Sequence, residues 1–223
     1  MQGGSAGGSK DPPCISLARS LLRDDDSWHT EGVQAALAPI ISLAFASGLN
    51  LYATVAVLGL SSHYGLVRLP EQFRAFDHPL VIGVAVVMFV VELVADKIPW
   101  FDTLWDTVHT AIRPIGGAVV AVMTLGDASP AAQTVAALIG GSIAMTTHLT
   151  KAGTRAAANT SPEPFSNWTL SVGEDIVAVA ITYVTTQHPL VALAIVLVLL
   201  GAIAAFASVL VRALRRRLRQ RAA

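Results

Sequence analysis

From residue 33 onward the chain alternates long apolar runs with short polar phrases. Helical segments of ~20 predominantly apolar residues cross a bilayer core, and runs near that size fall at about 33–60, 79–97, 114–126, 131–151, 171–186 and 189–211. This pattern predicts an all-α, polytopic helical membrane protein of about six spans. The third run, IGGAVVAVMTLG, is only about 12 residues or ~18 Å of helix and needs the preceding segment to complete a crossing. GDASP at 126–130 and TTQHP at 185–189 read as tight turns in which proline opens the next helix.

The first run is long for one crossing and carries a polar phrase, SLAFASGLNLYAT at 42–54, so a broken or strongly tilted helix is expected. SIAMTTHLTKAGT at 142–154 echoes it, with Ser42, Ala44, Leu49 and Thr54 matched by Ser142, Ala144, Leu149 and Thr154. The phrases stand in spans one and four. A three-span unit is odd-numbered, so its second copy runs inverted, with repeat one at about 33–126 and repeat two at about 131–211. Inverted repeats with broken helices are a recurring plan for transporters. Ser47, Gly48, Asn50, Thr54, Thr150, Lys151, Thr154 and Arg155 are therefore expected to line a substrate path. The alternative is that the small residues only permit close helix packing.

Composition agrees. Hydrophobic residues make up 53% of the 223 and charged residues 13%, about half the usual share for a soluble domain. RALRRRLRQR places six arginines just after the last run, which puts the C-terminus in the cytoplasm by the positive-inside rule. An even number of spans puts the N-terminus there too. The reading is thus a disordered cytoplasmic tail at 1–31, a membrane domain at 32–212 and a basic cytoplasmic tail at 213–223. ISLARSLLRDDDSW is expected as a short surface helix, and Cys14, the single cysteine, permits no internal disulfide.

Candidate chemistry centres on carboxylates. Glu92 and Asp96 lie i, i+4 on one helical face, Glu92 inside an apolar run. A carboxylate in a span is costly and marks an ion or proton path, or else pairs with a cation, here Arg113, Lys151 or Arg155. Glu174 and Asp175 open the fifth run, where Ser171 and Glu174 have capping-box spacing and Glu174 could equally mirror Glu92. Glu92, Asp96, Glu174 and Asp175 are the ion- or proton-coupling candidates. In WFDTLWDTVHTAIR, bracketed by Pro99 and Pro114, Asp102, Asp106, His109 and Arg113 form one polar stripe. An interfacial amphipathic helix is expected there. The same stripe offers ligands for a divalent cation or, through Arg113, a lipid phosphate. No other cofactor is implied.

ASGLNLYATVAVLGL, VELVADKIPWFDTLWDTVHTAIRPIGGA and HLTKAGTRAAANTSPEPFSNWTLSVGED together resemble a bacterial membrane family, domain-of-unknown-function family 4126, over about residues 35–210. The resemblance implies residence in the bacterial cytoplasmic (inner) membrane but no activity. The expected function is a small transporter or channel-like carrier of an ion, small solute or lipid. It is expected to form a homo-oligomer in the lipid bilayer, with no nucleic-acid partner. The competing classes are a membrane enzyme acting on a lipid-linked phosphate with a divalent metal, and a non-catalytic scaffold; DDxxD and DGxxAR, the aspartate motifs of the former, are absent.

Overall fold

The computed structural model describes residues 26–67, 69, 71–158 and 164–221. Except for Asp26, Ser27 and Trp28, which open the first described helix, the surface helix expected over 15–28 lies outside these residues. Among them the chain is all-helical: α1 Asp26–Leu49, α2 Leu51–His63, a 3-10 turn Glu71–Ala75, α3 Pro79–Ala95, α4 Pro99–Leu125, α5 Pro130–Ala158, α6 Pro164–Gln187 and α7 Pro189–Arg221. The chain divides into two units, Met1–Ala35 and Ala36–Ala223. Of the first, only the helical backbone from Asp26 is described; the helix packing and the ion network belong to the second.

Proline opens every helix from α3 to α7, as its fixed φ and missing N–H favour at a first helical position. His78 adds a cap to α3, its Nδ1 accepting from the Leu80 amide at 3.2 Å. Gly126, at φ 64°, ends α4 in a conformation that favours glycine.

The contacts of α4 with α5 run in opposite senses along the two helices, so the pair is an antiparallel hairpin. Asp102 meets Arg155 at one end, Gly117 meets Gly140 in the middle, and Ala121 and Ala136 share a cluster near the turn. A side chain on either glycine would collide with the facing helix, so small residues set this close approach. α2 packs on α3 and α6, and α6 on α7. Phe45 and Ala46 of α1 join Ile181 and Val196 in a second apolar cluster.

The distribution of polarity is inverted relative to a water-soluble bundle. The largest fully buried side chains are Arg113, Arg155 and Lys151, while Leu80, Val87, Leu138, Ile176, Leu190 and Val198 are exposed. α4 over Trp100–Leu125 and α7 over Pro189–Ser208 are long and apolar enough to cross a membrane. Ala36–Leu49, α2 and α3 are shorter apolar helices.

Several expectations are corrected. Residues 100–113 and 114–126 are one helix that runs through Pro114, not an interfacial helix followed by a span. Proline is tolerated inside buried membrane-type helices where neighbours satisfy the freed carbonyl. The polar stripe faces inward: Asp102, Asp106, His109 and Arg113 are all buried, and Trp100, Leu104 and Val108 are exposed. α6 begins at Pro164, so Ser171 stands well inside a helix and is not a cap for Glu174. The arginine-rich C-terminal stretch continues α7 as far as Arg221. The first polar phrase does break the helix; the second lies within unbroken α5.

Candidate functional site: a buried ion network on a broken helix

Asn50 divides α1 from α2. Its backbone is extended, with φ −152° and ψ 103°, and its Oδ1 accepts from the Ala53 amide at 2.8 Å, an N-cap for α2. The Asn50 carbonyl still accepts from the Thr54 amide and, at 2.9 Å, from the Thr54 hydroxyl, so the interruption is a single residue. The carbonyl groups that α1 leaves without a helical partner at its end are taken by cations. Arg113 Nη1 donates to the Gly48 carbonyl at 2.7 Å, and Lys151 Nζ to the Leu49 carbonyl at 3.0 Å. Positive charge suits the negative end of a helix dipole.

Those cations in turn hold carboxylates. Arg113 Nη2 donates to Glu92 Oε1, and Lys151 Nζ reaches the same oxygen at 2.9 Å. Lys151 also lies 3.8 Å from Asp96 and 3.9 Å from Glu174. Arg155 gathers three helices onto one guanidinium: Nη2 donates to Asp96, the C-cap of α3, at 2.6 Å, Nη1 to Asp102 of α4 at 2.7 Å, and Nε to Glu174 of α6 at 2.9 Å. Ser171 donates its hydroxyl to Asp96 at 3.0 Å and accepts from Lys97 at 3.2 Å. Asp175 Oδ1 accepts from Asn50 Nδ2 at 2.9 Å, tying α6 to the break.

Glu92, Asp96, Arg113 and Arg155 are 0% exposed. Ions so far from water must be paired and hydrogen-bonded, because removing either partner leaves an uncompensated charge. One oxygen each from Glu92, Asp96 and Asp175 falls within 4.8 Å of the other two. Glu92 Oε2 and Asp175 Oδ2 accept no hydrogen bond from any described residue.

The other candidates stand around this centre. Tyr52 Oη lies 3.0 Å from His109 Nε2, and His109 Nδ1 lies 2.8 Å from the Trp105 carbonyl. A carbonyl can only accept, so Nδ1 carries the proton and the tyrosine donates to Nε2. Asp106 is buried beside His148, whose Nε2 lies 3.1 Å from the Asp106 carbonyl. Thr54 receives the Thr182 hydroxyl at 3.4 Å, and Ser47 is buried in α1. Gly48 lies against α5, where a methyl group would sit 2.5 Å from the Ala144 carbonyl oxygen.

Thr150 and Thr154 face a cavity of about 560 Å³ bounded by α1, α5, α6 and α7. Its wall is apolar, with Phe45, Val177 and Phe206 among the lining residues, and Glu174 reaches it from the ion network. Glu174 retains 15% side-chain exposure, against 0–1% for Glu92, Asp96 and Asp102.

Sequence reasoning missed Tyr52, His148 and the Ser171 link to Asp96. A hydroxyl, a phenol and an imidazole on apolar helices carry no spacing signal that separates a network member from an isolated polar residue.

The family model for a domain of unknown function (DUF4126) matches residues 37–209. The chain belongs to that family. The matched span takes in every residue of the ion network. No curated protein and no solved structure matches the chain.

Proposed function

We propose that the protein is a small membrane transporter or channel-like carrier of the bacterial cytoplasmic membrane, moving an ion, small solute or lipid past a carboxylate-rich centre. The observation that carries this reading is the ion network assembled on a broken helix, inside a bundle whose outer faces are apolar. Intramembrane charges that face the bundle interior commonly mark ion and substrate paths, and discontinuous helices commonly form the sites. On this reading α1 with α2 makes the first crossing and α3 to α7 the other five, with both termini cytoplasmic. The two halves would then be inverted copies. Contacts between the echoing phrases support that reading, since Gly48 packs on Ala144 and Thr147 while Lys151 reaches the Leu49 carbonyl. The middle helices of the two halves, α3 and α6, each contribute two carboxylates.

The path runs through the cavity at Thr150 and Thr154 to Glu174, the carboxylate of the Arg155 cluster that keeps most contact with the outside. The test is flux in proteoliposomes: protons by an enclosed pH dye, sodium and potassium by isotope, lipid by quenching of labelled headgroups. Flux above that of protein-free vesicles, reduced several-fold by Glu174→Gln with folding retained, is expected. Vesicles that carry none of these faster than bare lipid would defeat the transport reading. Reporter fusions near residue 70 and at Ser129 should report the outer side; a cytoplasmic signal at either would remove the inverted arrangement.

A further inference from the structure

The cavity bounded by α1, α5, α6 and α7 is selective in what its wall can hold. Its volume of about 560 Å³ suits a small organic molecule. Among the described residues the wall is apolar except for three threonines and Glu174. Thr150 and Thr154 donate their hydroxyl protons to the Thr146 and Thr150 carbonyls of their own helix, at 2.8 and 2.7 Å. What they offer an occupant is a methyl group and an acceptor oxygen. Gly173 leaves room beside Glu174: a methyl group built on it meets no atom within 4 Å.

Glu174 gives this wall its charge. Its two close cations meet the same oxygen, Arg155 Nε donating to Oε2 at 2.9 Å and Lys151 Nζ lying 3.9 Å from it. Oε1 takes part in neither contact. Arg155 and Lys151 are 0% and 2% exposed and do not line the cavity, so the wall presents the carboxylate and not the cations behind it. An anion or a phosphate headgroup entering there meets acceptors like itself. A small inorganic ion exchanges its hydration shell for hydrocarbon, at a cost that one carboxylate does not offset. An organic cation with apolar arms suits both parts of the wall, its charge beside Glu174 and its arms against Val177, Leu199 and Ile203. Phe45 and Phe206 add aromatic rings, whose faces attract such cations.

We propose that this cavity binds one lipophilic organic cation, with Glu174 as its counter-ion and Phe45 and Phe206 as its aromatic walls. Arg155 is a positioning residue, holding the carboxylate at the cavity wall through Oε2. The site deepens the transport reading by naming a substrate class for the path past Thr150 and Thr154. It rests on that reading only for movement of the cation after it binds.

The test is binding, measured without flux. Purified full-length protein in detergent is dialysed against radiolabelled tetraphenylphosphonium, with protein-free micelles as the blank. Tetraphenylborate, an anion of the same shape, is the counterpart. Saturable binding of the phosphonium, and none of the borate above the blank, is expected. Glu174→Gln keeps the shape and removes the charge; affinity should fall at least tenfold. Gly173→Leu fills the space from a position where a Cβ meets nothing, and should abolish binding while the melting temperature holds. Val198→Ala, exposed on α7 and outside the cavity lining, should leave affinity unchanged. Should Glu174→Gln not fold, Gly173→Leu and the borate comparison still decide. No saturable binding by the folded protein, equal binding of the borate, or unchanged affinity in Glu174→Gln or Gly173→Leu would overturn the site. Failure of the transport reading is distinguishable: binding without flux leaves the site standing, and flux of another species without binding leaves the carrier but removes the site.

Discussion

Residues 42–54 and 142–154 echo each other in sequence and are opposites in structure. The first stretch breaks between α1 and α2; the second is uninterrupted α5. The decisive difference is the side chain at the echoed position, Asn50 against Thr150. Asn50 turns its amide forward to cap the Ala53 N–H and outward to Asp175. Thr150 has only a hydroxyl, which it returns to the Thr146 carbonyl of its own helix at 2.8 Å. Threonine can satisfy itself within a helix, whereas asparagine competes with the helix for its backbone. Surroundings reinforce the choice, because Arg113 and Lys151 occupy the carbonyls at 48 and 49. A polar phrase is thus permission to break, and the cations decide whether the permission is used.

The largest effect should come from removing the charge on which those cations rest. Glu92→Gln strands Arg113 and Lys151 together, and loss of a buried ion-pair partner costs about 3–5 kcal/mol. A large drop in melting temperature in detergent is expected. A Gln variant as stable as the parent would mean that the break does not depend on the network.

Asn50→Ala removes a cap, about 1 kcal/mol, and a hydrogen bond to a buried carboxylate, about 1.5–3 kcal/mol. Thr150→Ala should stay within about 0.5 kcal/mol, because its hydroxyl only returns to its own helix. Amide exchange at Ala53, whose N–H the Asn50 side chain caps, should change in the first variant alone. Equal cost at the two positions would erase the contrast between the two phrases.

Glycine sharpens it further. A methyl group on Gly48 meets the Ala144 carbonyl, so Gly48→Ala should cost about 1–3 kcal/mol by overpacking. Gly153 has open space around its Cβ direction in a straight helix. Gly153→Ala should be the smallest change, neutral or stabilising by up to about 1 kcal/mol through helix propensity. Denaturation of both variants under one condition gives the comparison directly.

Much of the helical plan is legible in the sequence. Proline after a polar turn marks the starts of α3, α5 and α7, and the soft phrase around Asn50 marks the break. Glu92 reads both as an ion path and as a partner for Arg113, Lys151 or Arg155; it pairs with the first two. What sequence spacing does not supply is direction around the helix axis for the stripe Asp102, Asp106, His109 and Arg113. An amphipathic helix looks the same whether its polar face meets headgroups or carboxylates from other helices. Nor does spacing reveal that Asn50 meets Asp175, 125 residues away, since that bond exists only once α6 packs on α2. The apparent capping box at Ser171 misleads because spacing records the residues available and not where the helix begins.

The order in which the network's members leave the ribosome gives it a history. Under the proposed six-span arrangement, Glu92 and Asp96 enter the bilayer on α3 before any of the arginines or the lysine that later hold them. α4 then delivers Arg113 beside Glu92, and α5 delivers Lys151 and Arg155. Because Arg155 pairs with Asp102 across the α4–α5 hairpin, that hairpin carries one of its ion pairs within itself as it inserts. Glu174 and Asp175 arrive last, on α6. A chain halted before α6 would therefore hold Asn50 without Asp175 and Arg155 without Glu174, exposed to quality-control proteases at the same two points.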